Sequence, residues 1–335
     1  MQTTHIRDFF YYVSKRTLKT SWILFKLMIP ISILIRIIQE FNVLPYISNV
    51  LNPLMKVCGL PAETSLVWIT SMVVNIYGGI LSLFAIYPSL SEPLTIAQLT
   101  VLLTMMLVAH TFPIELKIAQ KAGVKFIFMF LFRFLSALLF GIVLSFIYSS
   151  LNVLQEPVIL SKALVLQHPG WAAWAINEVK NYAIIIAVIG ALITLIHILE
   201  IIGFMELINK AMRPLLKGLG ISDDVLSITL IGLTLGIAYG GGLVIDESNR
   251  RQIKPKDIFY SLLLMGLFHS IFEDTLLMIG IGGHYSGIII FRFIMACIIT
   301  FAIVRFTKNM KSDTFNRLFI TKNYIKKLKT KEQTI

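Results

Sequence analysis

NIYGG, residues 75–79, returns as IAYGG at residues 237–241, with a further glycine at 242. The offset is 162 (237 against 75), and matches on either side keep nearly the same spacing. PLMKVCGLPAE begins at Pro53 and PLLKGLGISDD at Pro214, sharing Pro, Leu, Lys, Gly and a final acid in register. AHTFPIE (109–115) matches FHSIFED (268–274), so His110 corresponds to His269 and Glu115 to Asp274. LFRF (131–134) matches IFRF (290–293), aligning Arg133 with Arg292, and Glu40 corresponds to Glu200. Ordered matches at a near-constant offset mark an internal duplication. The chain divides into residues 1–150, 151–310 and a basic tail over 311–335.

Composition sets the class. Of the 335 residues 56% are hydrophobic and 14% charged, with a mean hydropathy of +0.80. The apolar residues fall in blocks long enough to cross a bilayer, so the expected fold class is an all-α polytopic membrane protein. No cleavable signal is expected, because the basic start runs into TSWILFKLMIPISILIRII (20–38) without a small-residue cleavage site. Cys58 and Cys297 lie far apart, without metal-ligand spacing. The net charge is +12; the stretch from Arg305 to Ile335 holds nine Lys/Arg against Asp313 and Glu332, a net of +7. That is the pattern of a cytoplasmic tail on anionic lipid, and nucleic acid is not an expected partner.

Loop charges orient the halves. Continuous spans are predicted over 21–40, 98–116, 126–149, 182–203, 258–278 and 287–306. The N-terminus, 117–125, 209–217 and 249–256 are basic, whereas 85–98 and 280–287 contain no Lys or Arg. If each glycine segment enters and returns on one side, these basic loops fall inside and both neutral loops outside, as the positive-inside rule requires. Each half then has three crossings, an odd number, so the two have opposite topology. The expectation is two inverted repeats, each with three spanning helices, an amphipathic helix and a glycine-broken re-entrant segment. Both termini are expected in the cytoplasm.

Backbone that turns within the membrane is tolerated where it is buried in protein or lines a watery cavity. Inverted repeats with interrupted segments carry transporter sites where the interruptions meet. The expected solute-binding residues are therefore Asn75, Tyr77, Gly78 and Gly79 on one side and Tyr239, Gly240, Gly241 and Gly242 on the other. The competing reading gives these glycines to close helix packing.

Charged residues inside spans form a second group. His110 precedes Glu115, and His269 precedes Asp274, by five positions; Glu273 falls at i+4 from His269, on one face of a continuous helix. An imidazole beside a carboxylate suits a proton-coupling or ion path, and folding is expected to bring the two histidines to a pseudo-two-fold axis. These groups can also offer N and O ligands to a divalent cation, but two per half are too few to name a metal. The structural alternative is bridges from Arg133 to Glu115 and from Arg292 to Asp274. Asp246 and Glu247 adjoin Arg250 and Arg251.

The glycine-broken segment, its amphipathic lead-in and the spans that follow resemble the Gate, or nucleoside-recognition, domain. That domain occurs in spore maturation proteins A and B and in the membrane part of ferrous-iron transport protein B. The resemblance covers about residues 20–310 as two copies and implies a transporter-like core in a bacterial inner membrane. The glycine segments lack cysteine, and no Walker motif is present. The expected function is transport of a small polar or ionic solute, with proton coupling as one mode. The alternative is a non-transporting scaffold or accessory subunit. Absence of HExxH and GxSxG patterns argues against an enzyme. No cofactor and no metal are expected; the expected partners are the lipid bilayer, a small solute and further copies of the chain.

Overall fold

The computed structural model describes residues 2–41, 52–158, 170–237, 243, 245 and 253–332. Tyr239 to Gly242, Asp246 and Glu247 lie outside the described residues. Helices α1 (Gln2–Glu40), α2 (Thr64–Val73), α3 (Ile76–Ile86), α4 (Ile96–Val108), α5 (Phe112–Ala122) and α6 (Phe126–Leu151) come from the first half. They are followed by α7 (Trp171–Ile201), α8 (Phe204–Gly218), α9 (Asp223–Leu235), α10 (Pro255–Leu267) and α11 (Glu273–Gly280). A π-helical stretch, Ser286–Phe291, runs into α12 (Arg292–Lys308), and α13 (Ser312–Phe319) and α14 (Lys322–Glu332) form the tail. Among the described residues there is no strand beyond isolated bridges.

Ile96–Ala122, Phe126–Leu151, Trp171–Leu199 and Ser286–Lys308 are long and apolar enough to cross a membrane. The shortest has 23 residues, about 35 Å of helix against a hydrocarbon core of about 30 Å. Outward faces of α6 and α12 expose Ile127, Leu131, Leu135, Phe146, Ile294, Ile298 and Phe301. An apolar exterior of this kind suits lipid rather than water.

The glycine segment of the first half is built differently from the expectation. The chain breaks at Val74 and Asn75, one step before the glycines, and Gly78 and Gly79 lie within α3. Asn75 is extended, and its side-chain oxygen accepts the Gly78 N–H at 2.8 Å. An asparagine N-cap supplies the acceptor that a new helix start needs, so the turn requires no glycine conformation. Space, not dihedral freedom, fixes Gly79: a Cβ there would sit 2.7 Å from Ser71 Cβ and 3.2 Å from the Val67 carbonyl oxygen. These contacts lay α3 back along α2, and each is about 15 Å long, half the hydrocarbon thickness. In the second half α9 stops at Gly236, whose φ of 96° is in the left-handed region that glycine adopts readily.

The spans expected to be continuous over 98–116 and 258–278 are both interrupted. α4 ends at Val108 and α5 begins at Phe112; α10 ends at Leu267 and α11 begins at Glu273. Thr111 (φ 51°) and Ser270 (φ 52°) are left-handed, a conformation that costs a non-glycine residue about 1–2 kcal/mol. Pro113, in the first turn of α5, cannot donate back across the first break.

Partners for the freed backbone explain why the breaks persist in an apolar core. The Thr111 N–H donates to Ser71 O of α2 at 2.9 Å, and the Ile271 N–H to Leu233 O of α9 at 3.0 Å. Arg133 Nε donates to Val108 O at 2.9 Å and its Nη2 to His110 O at 3.3 Å. Arg292 Nε donates to Leu267 O at 3.1 Å and its Nη2 to His269 O at 2.9 Å. Both arginines are fully buried. A guanidinium at a helix C-terminus satisfies exposed carbonyls and opposes the negative end of the helix dipole.

The basic tail folds back onto the protein. Phe315, Ile320 and Tyr324 are buried, and Phe315 and Phe319 pack on Phe259. The Thr321 N–H donates to Gly123 O at 2.8 Å, and Tyr324 Oη to Ile253 O at 2.7 Å. Burial and the Asp257 carboxylate push the Tyr324 hydroxyl up to about 12, so it stays a donor throughout the physiological range. Apolar side chains spaced along a basic sequence make these helices amphipathic, and that face needs cover. The tail, 117–125 and 253–256 therefore form one basic cluster. At the other end of α4, the Val158 N–H bonds Leu94 O at 2.8 Å and the His284 N–H bonds Thr100 Oγ1 at 2.9 Å, gathering the neutral loops.

Candidate functional site

His110 stands in the α4–α5 break and His269 in the α10–α11 break. His110 Nδ1 is 2.9 Å from Met106 O, and His269 Nδ1 is 2.7 Å from Met265 O. A carbonyl oxygen only accepts, so each Nδ1 carries the proton and each Nε2 presents its lone pair when the ring is neutral. The two Nε2 atoms face one another at 3.2 Å, with ring centroids 4.9 Å apart. His110 and His269 are 3% and 1% exposed, Glu115 and Asp274 7% and 9%.

The carboxylates cross between halves. Glu115 Oε1 lies 3.3 Å from His269 Nε2 and 3.6 Å from His110 Nε2, while Asp274 Oδ2 lies 3.6 Å from His110 Nε2. Glu115 Oε2 accepts from Arg133 Nη1, the bridge that the sequence suggested. Among the described residues Arg292 makes no ion pair with Asp274; its guanidinium is committed to backbone carbonyls, and its Nη1 has no hydrogen-bond partner. Glu115 is therefore held by a fixed cation while Asp274 is not. His110, His269 and Asp274 can each offer a ligand atom within 4.8 Å of the others.

The remaining sequence candidates divide. Tyr77 is buried and its hydroxyl donates to Glu273 Oε1 at 3.3 Å, joining the first glycine segment to the second half. Residues 268–272 are not helical, so the shared helix face expected for His269 and Glu273 does not exist, and Glu273 turns to Tyr77. Asn75 is buried with its Nδ2 unpartnered. Gly78 and Gly79 are buried inside α3, and Tyr239, Gly240, Gly241 and Gly242 are outside the described residues. Sequence reasoning missed the arginines as backbone anchors. Their signal was the LFRF/IFRF match, since a duplicated buried arginine needs a duplicated partner.

No protein-family model matches the chain, and no solved structure matches it. The chain is similar to a protein of Bacillus subtilis (strain 168) described as uncharacterized membrane protein YvoD. They are 24% identical over 296 residues, spanning 88% of this chain and 93% of that protein. That likeness and the apolar helices agree on a helical membrane protein.

Proposed function

We propose that the chain is a transporter or permease for a small ionic or polar solute, with its path through the His110–His269 centre. In this reading residues 1–150 and 151–310 are inverted repeats, and the neutral loops face away from the cytoplasm. The observation that carries it is the meeting of two interrupted spans, nose to nose, through buried ionisable side chains. Buried charge and broken backbone in a membrane are expensive, and they occur where ions or solutes pass. The repeated anchoring favours a duplication: at each break a histidine bonds the carbonyl four residues back, and an arginine holds the freed carbonyls.

The four side chains of the centre are buried, as they would be in an occluded state of an alternating-access cycle. The basic cluster of 117–125, 253–256 and the tail marks the cytoplasmic end under the positive-inside rule. A bacterial inner membrane suits the relative's source. The test is uptake of a panel of cations, anions and neutral polar solutes into proteoliposomes, against protein-free vesicles. Accumulation of one solute class supports transport; no uptake of any by a monodisperse protein supports the scaffold alternative.

A further inference from the structure

The four atoms that face the centre are His110 Nε2, His269 Nε2, Glu115 Oε1 and Asp274 Oδ2, and with neutral histidines and ionised carboxyls none of them brings a hydrogen. Both Nδ1–H groups are spent on backbone carbonyls at 2.9 and 2.7 Å. The Nε2 atoms thus meet as two lone pairs at 3.2 Å, flanked by carboxylate oxygens at 3.3 and 3.6 Å. Such a group repels itself unless a cation lies among its members. A shared proton can bridge only one pair, and 3.6 Å is too long for a hydrogen bond.

A metal ion would serve all four atoms. Ligands about 2.0–2.1 Å from a tetrahedral ion stand about 3.3–3.4 Å from each other. Four of the six edges of such a set, 3.2, 3.3, 3.6 and 3.6 Å, lie close to that length, and His110, His269 and Asp274 hold their ligand atoms within 4.8 Å of one another. The surroundings agree. A metal-ligating histidine characteristically donates its other nitrogen to a backbone carbonyl, as both do here, and ligating carboxylates are held by hydrogen bonds. Arg133 holds Glu115 by Oε2 and leaves Oε1 free. Each half contributes one imidazole and one carboxylate, so only the folded pair completes the set.

We infer that this centre binds one divalent first-row transition-metal ion through His110, His269, Glu115 and Asp274. Two imidazoles favour ions of the zinc and cobalt type over calcium or magnesium, which prefer oxygen alone. The binding stands without the transport reading, and only the further step, that the ion is the solute carried, rests on it.

The full chain, purified in detergent and stripped with chelator, is titrated with Zn2+ by calorimetry and with Co2+ by visible absorption. One ion per chain and the intense bands of tetrahedral Co2+ are expected. His110→Ala and His269→Ala should each weaken Zn2+ binding beyond the roughly 10- to 100-fold that loss of a supporting contact costs. His284→Gln should bind as wild type. Asp274→Asn, which keeps the side-chain shape, covers the case in which an alanine variant misfolds; it should bind at least tenfold more weakly and lose Zn2+-induced thermal stabilisation. No stoichiometric site on monodisperse wild-type protein would overturn the inference, as would equal affinity in the well-folded variants. Tight binding without zinc uptake in proteoliposomes leaves the site standing and counts against zinc as cargo. Uptake of another solute without metal binding does the reverse.

Discussion

Replacing Gly78 and Gly79 in turn by alanine separates packing from solute access at the first glycine segment. Both positions lie in α3, and both gain up to about 1 kcal/mol of helix propensity on substitution, so that contribution cancels in the comparison. A Cβ on Gly78 meets Val74 and the Asn75 side chain at 3.4–3.5 Å, ordinary contact. On Gly79 it meets Met106 Cε at 2.6 Å, Ser71 Cβ at 2.7 Å and the Val67 carbonyl at 3.2 Å. The methionine end can swing away; the two α2 atoms cannot move without parting the helices. Overpacking of this kind costs about 1–3 kcal/mol, so Gly79→Ala should be less stable than Gly78→Ala by about that amount. Thermal and denaturant unfolding of both variants in the same detergent measures the difference. Equal stability with loss of uptake in Gly79→Ala alone would refute the packing account and return this glycine to the solute path.

Asn75→Ala should cost about 0.5–2 kcal/mol by removing the cap of α3, and Asn75→Asp should recover most of it in the same unfolding assay. Tyr324→Phe removes the bond to Ile253 O and should cost about 1 kcal/mol; faster proteolysis of the tail, measured by mass spectrometry, is the expected sign. Cysteines at Ser91 and Tyr285 should react with an impermeant maleimide from outside whole cells, and one at Lys121 only after permeabilisation. Labelling of Lys121 from outside would contradict the inverted topology.

What was legible in the sequence was correspondence between positions. The His110/His269 and Arg133/Arg292 matches mark the side chains that meet or repeat a contact in the folded chain, because duplicated chemistry shows in residue identity. The breaks were not legible. Apolar residues flank His110 and Thr111 in one break and His269 and Ser270 in the other, and periodicity cannot tell a continuous buried helix from one interrupted by three to five residues. Glu273 was placed on the helix face of His269 for that reason, since i+4 has meaning only within a helix. At NIYGG the glycines drew the reading, while the asparagine before them carries the turn. The packing of the tail was not legible either: Phe315, Ile320 and Tyr324 are few among many lysines, yet they are the side chains it buries.

In the proposed function the two interrupted spans meet to form a path through His110 and His269. Gradient-driven uptake by wild-type protein, His110→Gln and His269→Gln in proteoliposomes, with melting temperatures for the same preparations, tests it most directly. Solute accumulation by wild type and its loss in both variants, each still folded and monodisperse, is the expected result. Full uptake in both folded variants would contradict it, and would leave the paired histidines as cross-links between the halves.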